Sequence, residues 1–309
     1  MGVFVFLPLV LPLTAWPLAR LAEQYLHPRA ATWLLSAVAG VLAVCSTLCL
    51  GLLMVVGTAQ LPGNPLPDGW SDPEVREAVP CDEVAGRAAI PALLAVLAAC
   101  TRVVWRHRRV RRRTERALAG LPATEVAVLP DGLPYAYALP GRRGRIVVSS
   151  SMLAGLTSAE RRALFAHERA HLVRRHHRFL LTVQLAARAN PFLRPLRTAV
   201  TYTTERWADE EAAQTVGSRR TVALAVGRSA LISRGGPAAS LAGFAATGPV
   251  PRRVAALLGP IPTGGVWPPV FTAVGLAVWG AAAGATASAL SSANSAVTLF
   301  LILHAATPV

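Results

Sequence analysis

The sequence predicts an α-helical membrane protein with about four transmembrane helices and a cytoplasmic α+β domain between the third and fourth spans. Hydrophobic residues make up 53% of the 309 residues and charged residues 15%, which is too apolar for an ordinary soluble protein. Long uncharged runs recur along the chain, and an arginine-rich stretch directly follows one of them. Before the last apolar run, the pattern changes to short alternating strands and amphipathic helices, which is typical of a compact domain.

The transmembrane segments are predicted from runs without formal charge. The first, residues 3–19, contains three prolines and is followed by Arg20. Because a signal peptide carries its positive charge before its apolar run, we interpret this segment as a retained, kinked span. The second run, residues 33–57, has 25 residues and is long enough to cross with some tilt. The third, residues 88–101, becomes long enough if the arginines at its ends extend to the interface.

The side of the membrane is predicted from charge. The stretch that begins at Arg102 and ends at Arg116 contains eight arginines. Under the positive-inside rule these arginines are cytoplasmic, so the acidic loop at about residues 58–87 and the N-terminus are predicted to lie outside. The formal net charge of +15 also fits nucleic-acid binding, but these arginines border apolar runs. We therefore expect anionic lipid head groups, and no direct nucleic acid, as their partner.

These patterns divide the chain into three parts. Residues 1–105 are predicted to hold three transmembrane helices, residues 106–265 the cytoplasmic domain, and residues 266–309 a C-terminal transmembrane segment. In this last part, serine and asparagine side chains interrupt the apolar run after about residue 290. The pattern fits either one long tilted span or a span followed by an interfacial helix. The four cysteines have no metal-like spacing, so they indicate neither a thiolate site nor a disulfide framework.

The cytoplasmic domain is predicted to combine a small sheet with several helices. Three alternating apolar runs separated by turn sequences predict an antiparallel sheet over residues 125–149. Thr157 and Glu160 form a capping-box sequence that starts a helix over about residues 158–175. Further helices are expected at about residues 178–189, 193–216 and 219–233, followed by a Gly/Ala/Pro-rich segment to residue 265.

A metal-binding sequence lies in the middle of the capped helix. His167 and His171 stand at i and i+4, so both imidazoles point the same way and can share one zinc ion. Glu168 is then placed to act on a zinc-bound water. The alternative is a polar helix face that carries these side chains by chance.

A catalytic zinc needs a third protein ligand and an open position for water, and two residues are candidates. His177 has the spacing of the longer H-E-x-x-H-x-x-G-x-x-H motif, but Arg174 replaces the glycine that would turn the chain back. We therefore interpret His177 as a solvated residue. Glu205 is the better candidate, because Asp209 follows it at i+4 and can hydrogen-bond a ligand histidine and fix its orientation.

These residues resemble a known family. His167-Glu168-x-x-His171 followed by Glu205-x-x-Ala208-Asp209 resembles the gluzincin membrane metallopeptidases, namely the BlaR/MecR-type antirepressor peptidases and, more distantly, the HtpX-type and CAAX-prenyl peptidases. The resemblance implies a zincin-like zinc metallopeptidase domain in a bacterial cell membrane, with Zn²⁺ held by two histidines and Glu205 and with Glu168 as the base. Tyr202, three residues before Glu205, is a candidate oxyanion donor, with simple packing as its alternative.

The resemblance further implies a protein or peptide substrate, cleaved on the cytoplasmic side. We expect regulated cleavage of the chain itself or of a cytoplasmic repressor. The BlaR/MecR receptors carry a C-terminal penicillin-binding sensor domain with a Ser-x-x-Lys motif, and this sequence lacks that domain and contains no lysine. Covalent sensing of a β-lactam through that motif is therefore excluded. Two alternatives stay open: an HtpX-like quality-control peptidase, and a non-catalytic membrane adaptor with a structural metal site.

Overall fold

Helices form most of the chain in the computed structural model, which describes residues 6–61, 63, 66–67, 70, 82–117, 119, 124–141, 144–233, 250–262 and 268–305. In chain order the elements are α1 (Leu7–Val10), α2 (Ala15–Tyr25), α3 (Pro28–Ala59), α4 (Asp82–Ala117), β1 (Val126–Leu129), β2 (Ala136–Leu139), β3 (Arg145–Ser149), α5 (Ser150–Ala154), α6 (Ser158–Val173), α7 (His176–Ala189), α8 (Arg194–Val216), α9 (Arg219–Ser233), α10 (Val250–Leu258) and α11 (Ala273–Ala305). Short 3-10 turns at Leu11–Thr14 and Pro191–Leu193 precede α2 and α8.

Three helices of the described chain are long and apolar enough to cross a membrane: α3, residues 84–116 of α4, and α11. The first two correspond to the predicted second and third spans. The predicted first span, which was expected to be kinked, consists of α1, a 3-10 turn and α2 in direct succession. Prolines at 8 and 12 begin the first two pieces and donate no backbone hydrogen bond. The number of spans therefore stays a prediction. The acidic loop lies largely outside the described residues.

The C-terminal segment is one continuous helix rather than a span followed by a separate interfacial helix. α11 runs for 33 residues through the serine-rich interruption. Ser288, Ser292 and Ser295 are all buried, so these small polar side chains face the neighbouring helices. A helix of this length covers about 50 Å, which exceeds the roughly 30 Å hydrocarbon core of a bilayer.

The three strands form a mixed sheet in the order β1-β3-β2. β1 runs parallel to β3, with Val126 opposite Ile146, whereas β2 is antiparallel to β3, with Ala138 also opposite Ile146. The expectation of a purely antiparallel sheet was wrong, because β3 enters between the two preceding strands and prevents them from pairing. As a result, β2 lies at an edge of the sheet.

The helices α7 and α8 pack directly against α2 and α3. Their buried side chains share one hydrophobic core with those helices. At the α7–α8 corner, the Asn190 amide donates to Ser46 Oγ at 3.0 Å, and Ser46 Oγ donates to the carbonyl of Pro8 at 2.8 Å. Nearer the start of α3, Thr32 Oγ1 donates to Thr203 Oγ1 at 2.9 Å. These contacts fix α8 relative to a candidate transmembrane helix. The predicted domain boundaries stay predictions.

Candidate active site

The helices α6 and α8 bring three metal-ligand side chains together. His167 Nε2 and His171 Nε2 are 3.0 Å apart on successive turns of α6. Glu205, from the middle of α8, places Oε2 3.5 Å from His167 Nε2 and Oε1 3.4 Å from His171 Nε2. One ligand atom from each of the three residues lies within 4.8 Å of the others. This is the ligand set that the sequence predicted.

The chemistry of this group fits a divalent cation. Both carboxylate oxygens of Glu205 are buried. Oε2 pairs with the Arg253 guanidinium at 2.8 Å, whereas Oε1 has no hydrogen-bond partner among the described residues. Burial lowers the pKa of His171 well below its usual value, so its imidazole is neutral and has a lone pair for a metal. Two imidazole nitrogens and one carboxylate oxygen are the donor set of a catalytic zinc site.

Each histidine is also contacted on its other ring nitrogen. Asp209 Oδ1 lies 3.0 Å from His167 Nδ1, as the i+4 spacing on α8 predicted. On the second histidine, His171 Nδ1 lies 2.9 Å from the Nδ1 atom of His176, which is fully buried and packs against the Trp207 ring. Such contacts orient ligand imidazoles and select their tautomers. No sequence motif pointed to His176.

The α6–α7 junction explains why His176, and not His177, faces the metal ligands. α6 ends at Val173, and Arg175 adopts the left-handed conformation (φ 55°) that starts α7 after a two-residue turn. This turn carries His176 back under His171. His177 is not part of the ligand group, as predicted. It is half-buried and lines the cavity that His171 and Glu205 also line, rather than being a simple solvated residue.

Glu168 lines the same cavity. Its side chain is buried, and burial raises its pKa to about 7. The cavity is walled by β2, by the arginine-rich end of α4 with His107 and Arg111, and by α7, and its lining is largely apolar. The backbone N–H of Ala138 on β2 donates to the Glu168 carboxylate. The carboxylate is therefore oriented between the ligand group and the edge strand.

Tyr202 is placed differently from the predicted oxyanion donor. Its ring is buried beneath the guanidinium of Arg252, whose carbon lies 4.3 Å from the ring centroid. Arg252 in turn pairs with Glu23 of α2 at 2.9 Å. Tyr202 is not among the described residues that line the cavity. These contacts give Tyr202 a packing role between α2, α8 and α10, which was the alternative considered from the sequence.

A second residue without a predicted role is Arg253 in α10. Its guanidinium contacts both Glu205 and Asp209. In the sequence, Arg253 belongs to an Arg-Arg pair inside a Gly/Ala/Pro-rich segment, a composition that does not point to a metal site. A buried arginine at this position could not be recognised without the fold.

Residues 102–189 match the model of Peptidase family M48. This region holds the arginine-rich end of α4, the sheet, and the two histidines and Glu168, and it ends before Glu205. M48 peptidases are zinc metallopeptidases, so the match supports that class for this chain and a hydrolase activity. It does not distinguish the BlaR/MecR-type from the HtpX-type peptidases. Neither the curated proteins nor the solved structures compared with the chain give a match.

Proposed function

We propose that this chain is an integral membrane zinc-dependent endopeptidase that cuts proteins on the cytoplasmic side, in regulated cleavage of itself or of a transcriptional repressor. One observation carries this proposal: three metal-ligand side chains and a buried base converge at a cavity with an edge strand in its wall. A structural zinc site needs no base, whereas a hydrolytic site needs one beside the metal-bound water. The position of Glu168 therefore favours catalysis.

The residues support a defined division of roles. When bound, zinc would polarise the attacking water and the scissile carbonyl. Glu168 accepts the proton of the water and then donates it to the leaving amine, and a pKa of about 7 suits both steps at neutral pH. Asp209 holds His167 by its Nδ1 atom, so that the other ring nitrogen faces the metal position.

We propose that the substrate backbone pairs with the free edge of β2. Ile146 N–H donates to the backbone carbonyl of Glu125 and thus points away from β2, so the backbone groups of its partner Ala138 point to the free edge. The Ala138 N–H donates there to Glu168, and a substrate strand would take over this donor. An extended peptide can add to this edge as a further strand. Its side chain would enter the largely apolar cavity beside Glu168.

The membrane partner is proposed from α4. This helix continues without interruption from a candidate span to the cavity wall at His107 and Arg111. Its exposed arginines are suited to anionic lipid head groups, which would hold the cavity close to the membrane surface. Substrates on the cytoplasmic side near the membrane fit this position best.

Comparison of wild type with Glu168→Gln in native membranes tests the proposed function. New protein termini are mapped by mass spectrometry, and bound zinc is measured in parallel. We expect a few cytoplasmic cuts, in this chain or in one regulator, to disappear in the variant while zinc stays bound. Glu125→Gln is the matched control, because this exposed carboxylate pairs with Arg169 on the protein surface.

Two other results would redirect the assignment. Loss of many cuts across unrelated membrane proteins would favour an HtpX-like quality-control peptidase. Identical termini in wild type and Glu168→Gln, with zinc bound in both, would contradict catalysis. The non-catalytic membrane adaptor would then be the remaining alternative.

A further inference from the structure

Arg253 lies between the two carboxylates that α8 directs at the metal site. Its Nη1 atom is 2.8 Å from Glu205 Oε2. Its Nε and Nη2 atoms donate to the two oxygens of Asp209 at 2.8 and 2.7 Å. The arginine itself is only 5% exposed, so this is a buried, three-contact arrangement rather than a surface ion pair.

We propose that Arg253 is a positioning residue of the metal site, which makes Glu205 bind zinc through Oε1 alone and holds Asp209 against His167. The proposal rests on the proposed function, because it concerns the same metal site. It adds a residue from α10, outside the matched residues 102–189 and not assigned by the sequence motifs.

The first reason is the number of coordination positions. A carboxylate can bind a metal through one oxygen or through two. A hydrolytic zinc site keeps three protein ligands and one position for water. Since Arg253 occupies Oε2 of Glu205, this residue offers Oε1 to the metal, and the position for water is kept.

The second reason is the charge and shape of the contact. Glu205 and Asp209 are fully buried one turn apart, so their negative charges repel each other unless a cation lies between them. A planar guanidinium can donate two parallel hydrogen bonds to Asp209 and still contact Glu205. A lysine ammonium lacks this planar pair of donors.

The third reason is that α10 is itself tied to the ligand helix. Arg219 donates to the carbonyls of Gly259 and Ala256 at the C-terminal end of α10, at 2.6 and 2.8 Å. The same guanidinium donates to Glu210 of α8, one residue after Asp209, at 2.8 Å. α10 is therefore held in a fixed position from which Arg253 reaches both carboxylates.

The test uses the purified full chain with Arg253→Met, Arg253→Lys and, as a matched control, Arg252→Met. Arg252 is the neighbouring arginine on the same helix, but it is exposed and pairs with Glu23. Zinc affinity is measured by competition with a chromogenic chelator. The number of ligands is measured from the visible absorption spectrum of the cobalt-substituted protein, which distinguishes four-coordinate from five-coordinate sites.

We expect Arg253→Met to bind zinc about 10- to 100-fold more weakly, as for other outer-shell partners of metal ligands. Its cobalt spectrum should shift towards five-coordinate, because Glu205 can then bind through both oxygens. Arg253→Lys should bind zinc more tightly than Arg253→Met but less tightly than wild type, since it keeps the positive charge but loses the bidentate guanidinium. Arg252→Met should match wild type in both measurements.

An unchanged affinity and an unchanged cobalt spectrum in Arg253→Met would overturn the positioning role. If that variant does not fold, Arg253→Lys decides, and a wild-type spectrum and affinity there would also overturn it. If folded wild type binds neither zinc nor cobalt, the proposed function itself fails. That result is recognisable because it appears before any variant is compared.

Discussion

Glu168 combines a charge-bearing side chain with a buried position, and this has a measurable consequence for stability. Its folded pKa of about 7 lies above the ordinary value of 4.5. The protonated form therefore stabilises the folded state. This contribution is present below pH 4.5 and is lost as the pH rises to about 7, at about 1.4 kcal/mol for each pKa unit.

In chelator-treated protein, Glu168→Gln should therefore become more stable than wild type as the pH rises from 5 to 8. The amide keeps an oxygen for the Ala138 N–H but cannot ionise. Thermal unfolding in detergent across this range measures the difference, with Glu125→Gln as the exposed control. If the stabilities of wild type and Glu168→Gln change in parallel with pH, the pKa of Glu168 is not raised in the folded protein.

The site residues that could be predicted from the sequence are those that lie near each other on one helix or belong to a familiar motif. His167 and His171 follow from the i, i+4 geometry of one helix. Glu205 and Asp209 were candidates from the same spacing on a second helix, and the resemblance to gluzincin peptidases supported them. Arg253 reaches the site from a different helix, 44 positions after Asp209, so no periodicity connects them. Only the folded chain brings these side chains together, because spacing along the sequence does not determine the distance between residues on different helices.

Among the helices, α6 shows how a short sequence signal determines where a functional element begins. Thr157 Oγ1 accepts from the Glu160 backbone N–H at 3.3 Å, and Glu160 Oε2 accepts from the Thr157 N–H at 2.8 Å. Both orphan donors at the helix start are satisfied in this way. His167 lies ten residues after Thr157 on the same helix, so the capped start of α6 determines the position of the candidate ligand histidines along it.

Replacing the cap should destabilise the protein without removing the metal site. Thr157→Ala loses the side-chain acceptor at the helix start, and we expect a loss of about 1 kcal/mol. Ser158→Ala, at the exposed next position, is the control and should be near neutral. Unfolding midpoints in detergent compare the two. Equal midpoints would mean that packing of α6, and not its cap, determines the stability of this helix.

The elements that sequence reasoning placed well are those with strong local signals. α9 begins and ends where predicted, and α8 ends at Val216 as predicted, just before Gly217, which has a φ of 76°. The direction of the β1–β3 pairing was mispredicted because alternation identifies strands but not their partners. α10 was missed because its nine residues lie inside a segment rich in Gly, Ala and Pro, a composition that is typical of loops.

For the whole molecule, the candidate spans and the site belong to one packed structure. α3 shares a core with α7 and α8, and Thr32 of α3 donates a hydrogen bond to Thr203, two residues before the candidate metal ligand Glu205. α4 extends from its apolar part to the wall of the cavity. A displacement of α3 relative to α4 would therefore change the cavity and the ligand helix together.

The crossing of α3 and α4 offers a direct test of this coupling. At this point the two helices touch through glycines, and a Cβ added to Gly86 would lie 2.6 Å from Cα of Gly57 and 2.9 Å from its nitrogen. Gly86→Ala should therefore force the helices apart and lower both the unfolding midpoint and the Glu168-dependent cleavage. Gly51→Ala is the matched control, since its added Cβ meets nothing within 4 Å among the described residues.

The control should be neutral or stabilising by about 0.5–1 kcal/mol, because alanine is the better helix former. The two alanine variants thus change the same chemistry on the same helix pair and differ only in the space available. If Gly86→Ala lowers stability but leaves cleavage at the wild-type level, the crossing is structural and the cavity does not depend on it. If cleavage falls by more than the loss of folded protein explains, the helix crossing determines the geometry of the cavity at the other end of α4.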